Sequence, residues 1–297
     1  MYAFPKLGGY ELGMIRFFGS GLGNILFPWA RSVIAAKKYN LKQIAPTWPN
    51  LRVGSIIRKE SDLRFYMDLF RIPEDNIDGI RKLYLLLRSR RISETEFTKQ
   101  HISNNLPQDS DTIVIFEGLR GYFDDILKDH DMIKQEILNM TLEKHKAGLS
   151  YDFGNSLSLH VRLGDFKVGR QTTLMSWFVN IVNIIRRQLD QNIAVNIFSD
   201  GDDSELKPLL DLGNARRLSF GSSIADLLAL SCSRILVGSK RSTFGMWASY
   251  LGRMPAIWPN GGLQQPLYYD KPYMEVQSDG NNDLPYDFLK ACKESLK

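Results

Sequence analysis

The sequence predicts an α/β protein built on parallel, doubly wound sheets, and three observations support that expectation. First, the second half alternates. Strand patterns at Ser156–Val161, Ile193–Phe198, Arg216–Phe220, Arg234–Val237 and Pro255–Trp258 are separated by helical patterns. Those helices fall at Leu174–Leu189, Ser204–Leu212, from Ser223 onward, and Ser242–Leu251. Strands interleaved with helices make βαβ units, which place the strands parallel. Second, polar clusters stand at three strand ends: His160–Asp165, Ser199–Asp203 and Gly238–Thr243. In open parallel sheets ligands bind beyond the C-terminal strand ends. Third, in the first half a strand pattern at Met14–Phe18 passes through Gly19-Ser20-Gly21-Leu22-Gly23-Asn24 into a helix from Ile25 to about Tyr39. That arrangement turns backbone N–H groups at a helix N-terminus toward a ligand.

Taken in order, each element follows from its local pattern. In the first helix Ile25, Trp29 and Val33 share a face, and Pro28 is expected in the first turn, where a missing N–H is tolerated. The spacing Gly19, Gly21, Gly23 does not fit the dinucleotide fingerprint, whose third glycine stands further on. Pro46, Pro49 and Pro73 mark loops, with a helical pattern at Glu60–Phe70 between them. Thr112–Phe116 is a buried strand by its β-branched run, and Asp125 to about Glu143 reads as a helix. The polar stretch Lys144–Asn155, with Gly148 and Gly154, marks a boundary between a domain of residues 1–150 and one of 151–297. In the strand after it Leu157, Leu159 and Val161 alternate with Ser156, Ser158 and His160, the period of a half-buried strand. Arg162 continues the polar phase, so His160 and Arg162 are expected on one side, before a turn at Gly164-Asp165. Trp177, Phe178, Ile181, Ile184 and Ile185 form one apolar stripe on the next helix. Ser223 followed by Asp226 has capping-box spacing, and Leu284–Lys297 reads as a final helix.

Composition narrows the class. The 297 residues are 43% hydrophobic and 24% charged, with no apolar run of membrane-spanning length. Met1–Gly13 lacks the apolar core of a signal peptide, so a soluble, cytoplasmic protein is expected. Cys232 and Cys292 have no metal-like spacing and are too few for a disulfide framework. None of the four histidines has a partner at ligand spacing, which argues against a zinc enzyme. The net charge of +5 favours an anionic partner. The basic stretch Arg81–Arg91 invites a nucleic-acid or membrane reading, and a helix with a solvated basic face is the more common explanation. No zinc-finger, basic-zipper or RNA-recognition signature points to nucleic acid.

The three strand-end clusters suggest one crevice with a defined chemistry. Arg162 presents a planar fork of donors that fits phosphate oxygens, and Lys240 or Arg241 adds charge. The helix start at Ser242-Thr243-Phe244 offers N–H groups to the same oxygens. His160 is suited to a ribose or a phosphate, and Asp200 to ring N–H groups of guanine or to ribose hydroxyls. Such a site stabilises a diphosphate leaving group without a metal, as nucleotide-sugar chemistry requires. Asp200-Gly201-Asp202 also keeps a metal-dependent transferase open. The plainer readings are that Asp200 and Asp226 cap their helices, Thr243 packs, and Lys240 and Arg241 are solvated.

These residues resemble a known family. His160-Val161-Arg162-Leu163-Gly164-Asp165 is similar to the His-x-Arg-Arg-Gly-Asp motif of α-1,2-fucosyltransferases. Gly21-Leu22-Gly23-Asn24 with Phe27 and Ala30, Gly121-Tyr122-Phe123, Phe198-Ser199-Asp200, and Asp226–Cys232 followed by Ser242-Thr243-Phe244 and Trp247-Ala248 resemble further motifs of that family, in family order. Leu163 departs from it, standing where the family has a second Arg, and Gly245-Met246 interrupts its last block. The resemblance implies two facing Rossmann-like domains, the glycosyltransferase B type. The N-terminal domain would take the acceptor and the C-terminal one GDP-fucose. It further implies inverting, metal-independent transfer of fucose to a glycan hydroxyl, galactoside O-2 for an α-1,2 linkage, with no cofactor. By that resemblance Arg162 neutralises the pyrophosphate, Ser242, Thr243 and Phe244 bind phosphate or fucose, and His160 and Asp200 hold the nucleoside. Gly21, Gly23 and Asn24 would lie near donor and acceptor. Asn24, Glu117 and Asp165 are candidates to orient or deprotonate the acceptor. An enzyme building a cell-surface glycan would also associate peripherally with the inner membrane face. Another nucleotide-sugar donor, protein O-fucosylation and a non-catalytic binding module stay open.

Overall fold

The computed structural model describes residues 1–51, 65–102, 111–164 and 173–297. The chain divides into two compact units, Met1–Leu142 and Glu143–Lys297, so the division falls after residue 142 rather than 150. Each unit is a helix-flanked parallel sheet.

The first unit runs β1 (Tyr2–Lys6), β2 (Tyr10–Glu11), β3 (Arg16–Phe17), α1 (Leu22–Tyr39), β4 (Lys42–Gln43) and β5 (Asn50–Leu51). It continues with α2 (Gly79–Arg88), β6 (Arg90–Ser93), α3 (Glu94–Ile102), β7 (Thr112–Glu117) and α4 (His130–Met140). Its main sheet is parallel in the order β4-β1-β7-β6, while β2, β3 and β5 form a small separate sheet. The main strand of this half is therefore Tyr2–Lys6, and Met14–Phe18 contributes only Arg16 and Phe17, to the small sheet. Pro5 obscures β1 in the sequence because proline cannot donate to a ladder. The Ala3 carbonyl accepts from Ile44, so Pro5, two residues on, faces the same side. There β4 pairs only with Tyr2 and Ala3, and no donor is missed.

Helix α1 also starts earlier than expected, which puts Pro28 in its second turn, with no N–H for the Asn24 carbonyl. The helix stops where Asn40 adopts a left-handed conformation (φ 51°) and returns its N–H to the Ala36 carbonyl. Arg31, buried on α1, ties the helix to its neighbours. Its Nε lies 3.1 Å from the Glu94 carboxylate, and its terminal nitrogens donate to the carbonyls of Glu117 and Arg120 at 2.8 and 3.1 Å. Of the helix expected over Glu60–Phe70, residues 60–64 lie outside the described residues. Phe65–Phe70 forms turns ending in an isolated bridge to Thr141. Expected from Asp125, α4 starts at His130, behind a single 3₁₀ turn at Leu127–Asp129.

The second unit runs β8 (Ser156–Val161), α5 (Met175–Gln188), β9 (Ala194–Ser199), α6 (Asp203–Leu210), β10 (Ala215–Arg217) and α7 (Ser223–Leu230). Then come β11 (Leu236–Gly238), α8 (Thr243–Gly252), β12 (Ala256–Pro259), β13 (Glu275–Ser278) and α9 (Tyr286–Ser295). All strand pairs are parallel, in the order β10-β9-β8-β11-β12-β13, one strand more than the alternation predicts. Strand β8 is buried along its whole length, not half-buried as its alternation suggests. Parallel sheets are covered on both faces, so the polar phase of β8 is also inside. Its serines are satisfied there: Asn196 donates to Ser156 Oγ at 2.8 Å, and Ser233 to Ser158 Oγ at 2.7 Å. The stripe on α5 packs with Leu157, Leu159, Val195 and Ile197 in one apolar cluster.

Candidate functional site

The strand order of the second unit creates a switch point. From β8 the chain steps outward to β9 and β10, then returns to β11 on the other side of β8 and steps outward again. Crevices open at such points, beyond the carboxyl ends of the two diverging strands. Here those ends are His160–Gly164 after β8 and Gly238–Ser242 after β11, with Gly238 in register with His160.

Ser239 clamps the two ends together. Its hydroxyl accepts the Arg162 N–H at 2.8 Å and donates to the His160 carbonyl at 2.9 Å. The Lys240 N–H donates to Thr173 Oγ1 at 2.8 Å, and Arg241 adopts a left-handed φ of 54°. Ser242 N–H then donates to the Ser239 carbonyl at 3.2 Å, closing the turn into α8. Ser242 occupies the N-cap position, yet its side chain makes no capping hydrogen bond. The partial positive charge of that helix end lies four residues beyond the carboxyl end of β11.

Two side chains sit above this clamp. The His160 ring stacks on Phe244, with centroids 5.0 Å apart and 23° between planes. The ring is buried, and Nδ1 has no hydrogen-bond partner. Gly245 keeps space beside that nitrogen, since a Cβ there would lie 3.1 Å away. Burial, aided by the Arg162 charge and opposed by Asp200, holds the imidazole pKa down to about 4, so the ring is neutral at pH 7. Arg162 is held by Asp200, with Nη1 to Oδ2 at 2.5 Å, while Asp200 Oδ1 accepts the Leu163 N–H at 2.8 Å. Both partners are about one-fifth exposed. Gly164 permits the close approach, since a Cβ there would lie 2.5 Å from Asp200 Oδ2.

A stability effect follows from His160. As pH falls below about 6.5 the unfolded imidazole takes a proton that the folded one refuses, so stability should decline until about pH 4 and then level off. The loss is on the order of 3 kcal/mol for a shift of this size. Denaturant midpoints measured across that range should show the decline in the native chain and a flatter profile in His160→Gln.

Several expectations change on this geometry. Asp200 does not cap a helix. Asp202 does, accepting from Glu205 N–H at 2.9 Å in a full capping box. The two carboxylates of Asp200-Gly201-Asp202 are thus committed to Arg162 and to the cap, not paired for a metal. Among the described residues no group of three or more His, Cys, Asp or Glu is placed to hold one. Leu163 points into the apolar cluster, where a Cβ on Gly201 would lie 2.5 Å from its Cδ1. Ser222 rather than Ser223 caps α7, and Asp226 reaches back instead, accepting from Phe220 N–H at 2.5 Å.

The second unit thus brings together His160, Arg162, Asp200, Ser242, Thr243 and Phe244. Gly21, Gly23 and Asn24 stand in the first unit, at the N-cap and first turn of α1. Glu117, at the end of β7, pairs with Lys6 at 2.8 Å. Asp165 lies outside the described residues. Sequence reasoning missed Ser239 and Thr173, which are short polar residues without a periodic signature.

It also missed a buried charged cluster beside the glycine-rich turn. Arg16 is fully buried, donates through Nε to the Thr47 carbonyl at 3.0 Å, and lies over the Tyr66 ring. Lys82, also fully buried, donates to Thr47 Oγ1 at 2.9 Å. Burial lowers its pKa to about 8, against the pull of Glu11 and Asp78. Burial likewise raises the Glu11 carboxyl, which Thr47, Lys82 and Arg16 pull back down. Lys82 is therefore not part of the solvated basic face expected over Arg81–Arg91.

Two α/β units on parallel sheets, the second with its switch point between β8 and β11, define the class: a Rossmann-like fold of the glycosyltransferase B type. Among solved structures the chain is similar to NodZ α-1,6-fucosyltransferase soaked with GDP-fucose (TM-score 0.53, 12% identity, 87% of this chain and 94% of that one). The same protein co-crystallised with GDP matches with a TM-score of 0.53 and 12% identity over 88% and 96% of the two chains. Fucosyltransferase NodZ from Bradyrhizobium matches with a TM-score of 0.51 and 12% identity over 86% and 93%. No family model matches the chain, and no curated protein is similar to it in sequence. At these identities the likeness establishes the fold.

Proposed function

We propose that the chain is an inverting glycosyltransferase that moves L-fucose from GDP-fucose to a hydroxyl of a glycan acceptor. The supporting observation is the convergence at the switch point of Arg162, His160, Phe244 and the N-terminus of α8. In this reading Arg162, oriented by Asp200, meets the diphosphate together with the first turn of α8 at Ser242 and Thr243. The neutral His160 ring, stacked on Phe244, makes a flat wall with one ring nitrogen left for a ribose or phosphate oxygen. Asp200 acts here mainly by fixing Arg162, since both its oxygens are engaged.

The acceptor oxygen attacks the anomeric carbon as the carbon–oxygen bond to the β-phosphate breaks, and GDP leaves with that electron pair. Arg162 and the helix dipole stabilise the charge that develops on the diphosphate. The acceptor proton passes to a base, a role we assign to the Asp165 carboxylate, while Asn24 positions the hydroxyl. Gly21 and Gly23 would let donor and acceptor approach the backbone closely. Transfer to galactoside O-2 is the linkage that the motif resemblance favours. A second reading, a nucleotide-sugar-binding module without turnover, is favoured by one observation: Leu163, which stands where the family has its second Arg, is buried in the apolar cluster and adds nothing to the diphosphate grip.

A nucleotide-release assay decides among these. The purified chain, given a panel of GDP- and UDP-sugars with mixed galactosides, should release GDP from GDP-fucose at least about tenfold faster than from the others, a difference of roughly 1.4 kcal/mol in barrier. A metal chelator should leave that rate unchanged. Preference for another donor would replace the fucose reading, binding of GDP with no turnover on any acceptor would replace the enzyme reading, and loss of the rate in chelator would overturn the metal-independent mechanism.

A further inference from the structure

Helix α2 carries most of the basic stretch Arg81–Arg91, and its exposed face is apolar as well as basic. Ile80, Tyr84 and Leu87, spaced to share one face, are 87%, 63% and 82% exposed. Arg81 and Arg88 are exposed beside them. Arg90 lies 3.8 Å from Glu96, and Arg91 donates to the Leu86 carbonyl. The stretch contains no carboxylate, and the exposed Glu74, Asp75 and Asp78 all precede the helix. The turn between β2 and β3 extends the same surface. Leu12 and Met14 are 66% and 51% exposed, and Gly13 between them rests on α2, where a Cβ would lie 2.5 Å from Leu83 Cδ2.

Large apolar side chains exposed side by side mark an interaction surface, and charge selects the partner. Two copies meeting through this face would set Arg81 and Arg88 against the same arginines, which opposes self-association. We propose that the surface docks on an anionic phospholipid bilayer. Ile80, Tyr84, Leu87, Leu12 and Met14 enter the headgroup–acyl boundary, while Arg81 and Arg88 meet lipid phosphates. Docking of this kind needs no spanning segment, and no described helix is long and apolar enough to cross a membrane. The inference does not rest on the transferase reading, because lipid binding requires no nucleotide.

Flotation of the full chain with vesicles tests it. Vesicles of phosphatidylcholine with about one-third phosphatidylglycerol should carry the chain, phosphatidylcholine alone should not, and added salt should weaken the binding. Arg81→Ser with Arg88→Ser should lower the affinity roughly 20–30-fold. Leu87→Asp should lower it at least about tenfold while keeping the native melting temperature, since the side chain is exposed. Failure to float with either vesicle, or variants that bind like the native chain, would overturn the proposal. A concentration-dependent dimer lost in Leu87→Asp, without vesicle binding, would overturn it in favour of a second copy.

Discussion

Arg162→Ala is expected to cut transfer from GDP-fucose by about 10²–10³-fold and to abolish thermal stabilisation by GDP. The first figure is the usual cost of removing one preorganised donor to a developing oxyanion. The second follows because a ligand stabilises only what it binds: GDP at about 100 times its Kd adds roughly 2.7 kcal/mol to the native chain. The fold should survive, since Asp200 keeps the Leu163 N–H and is partly exposed. Arg162→Lys should recover little, because the ammonium keeps the charge but loses the planar fork. Asp200→Asn should be milder, about tenfold, because the guanidinium loses its anchor and keeps its charge. Initial rates and melting curves with and without GDP read all three. If Arg162→Ala melts higher in GDP by as much as the native chain does, the diphosphate lies elsewhere.

Glu11→Ala is expected to destabilise the chain by about 3–5 kcal/mol, the usual cost of stranding buried charge. Arg16 and Lys82 are both fully buried, and Glu11 is the carboxylate whose field acts on both. Removing it leaves two buried cations with the Thr47 oxygens, the Tyr66 ring beside Arg16 and the more distant field of Asp78 on Lys82. Replacing all three charges with apolar residues of similar size, Glu11→Leu with Arg16→Met and Lys82→Met, should recover much of the loss. Chemical denaturation of the full chain measures both variants. A loss below about 1 kcal/mol for Glu11→Ala would show that the charges are solvated in practice.

The second half of the chain was largely legible because its signals are local. The β-branched run at Ile193–Phe198 and the apolar stripe on α5 depend on spacing within a dozen residues. The same holds for the polar clusters at strand ends, and hence for His160, Arg162 and Ser242–Phe244. The first half was harder to read. Pro5 hides β1, and only the end of the short β4 makes that proline harmless. Pro28 looked like a first-turn proline until the helix was seen to begin at Leu22. No local pattern marks Glu11, Arg16 and Lys82 as one buried cluster, because they come together only through the small sheet and α2.

By itself the sequence determined the alternation of strands and helices, the strand ends that carry polar residues, and the resemblance of those ends to fucosyltransferase motifs. Periodicity and capping chemistry act over one or two turns, so they can be read from the order of residues. Tertiary structure decided what each polar residue faces. It paired Asp200 with Arg162, joined His160 and Arg162 through Ser239, turned Leu163 into the apolar cluster, and buried Lys82 while leaving Ile80, Tyr84 and Leu87 outside. The physical reason is that a charge or a hydroxyl takes its role from its nearest partners. In this chain those partners lie from about 35 to 79 residues away in sequence, on elements that only the tertiary fold brings together.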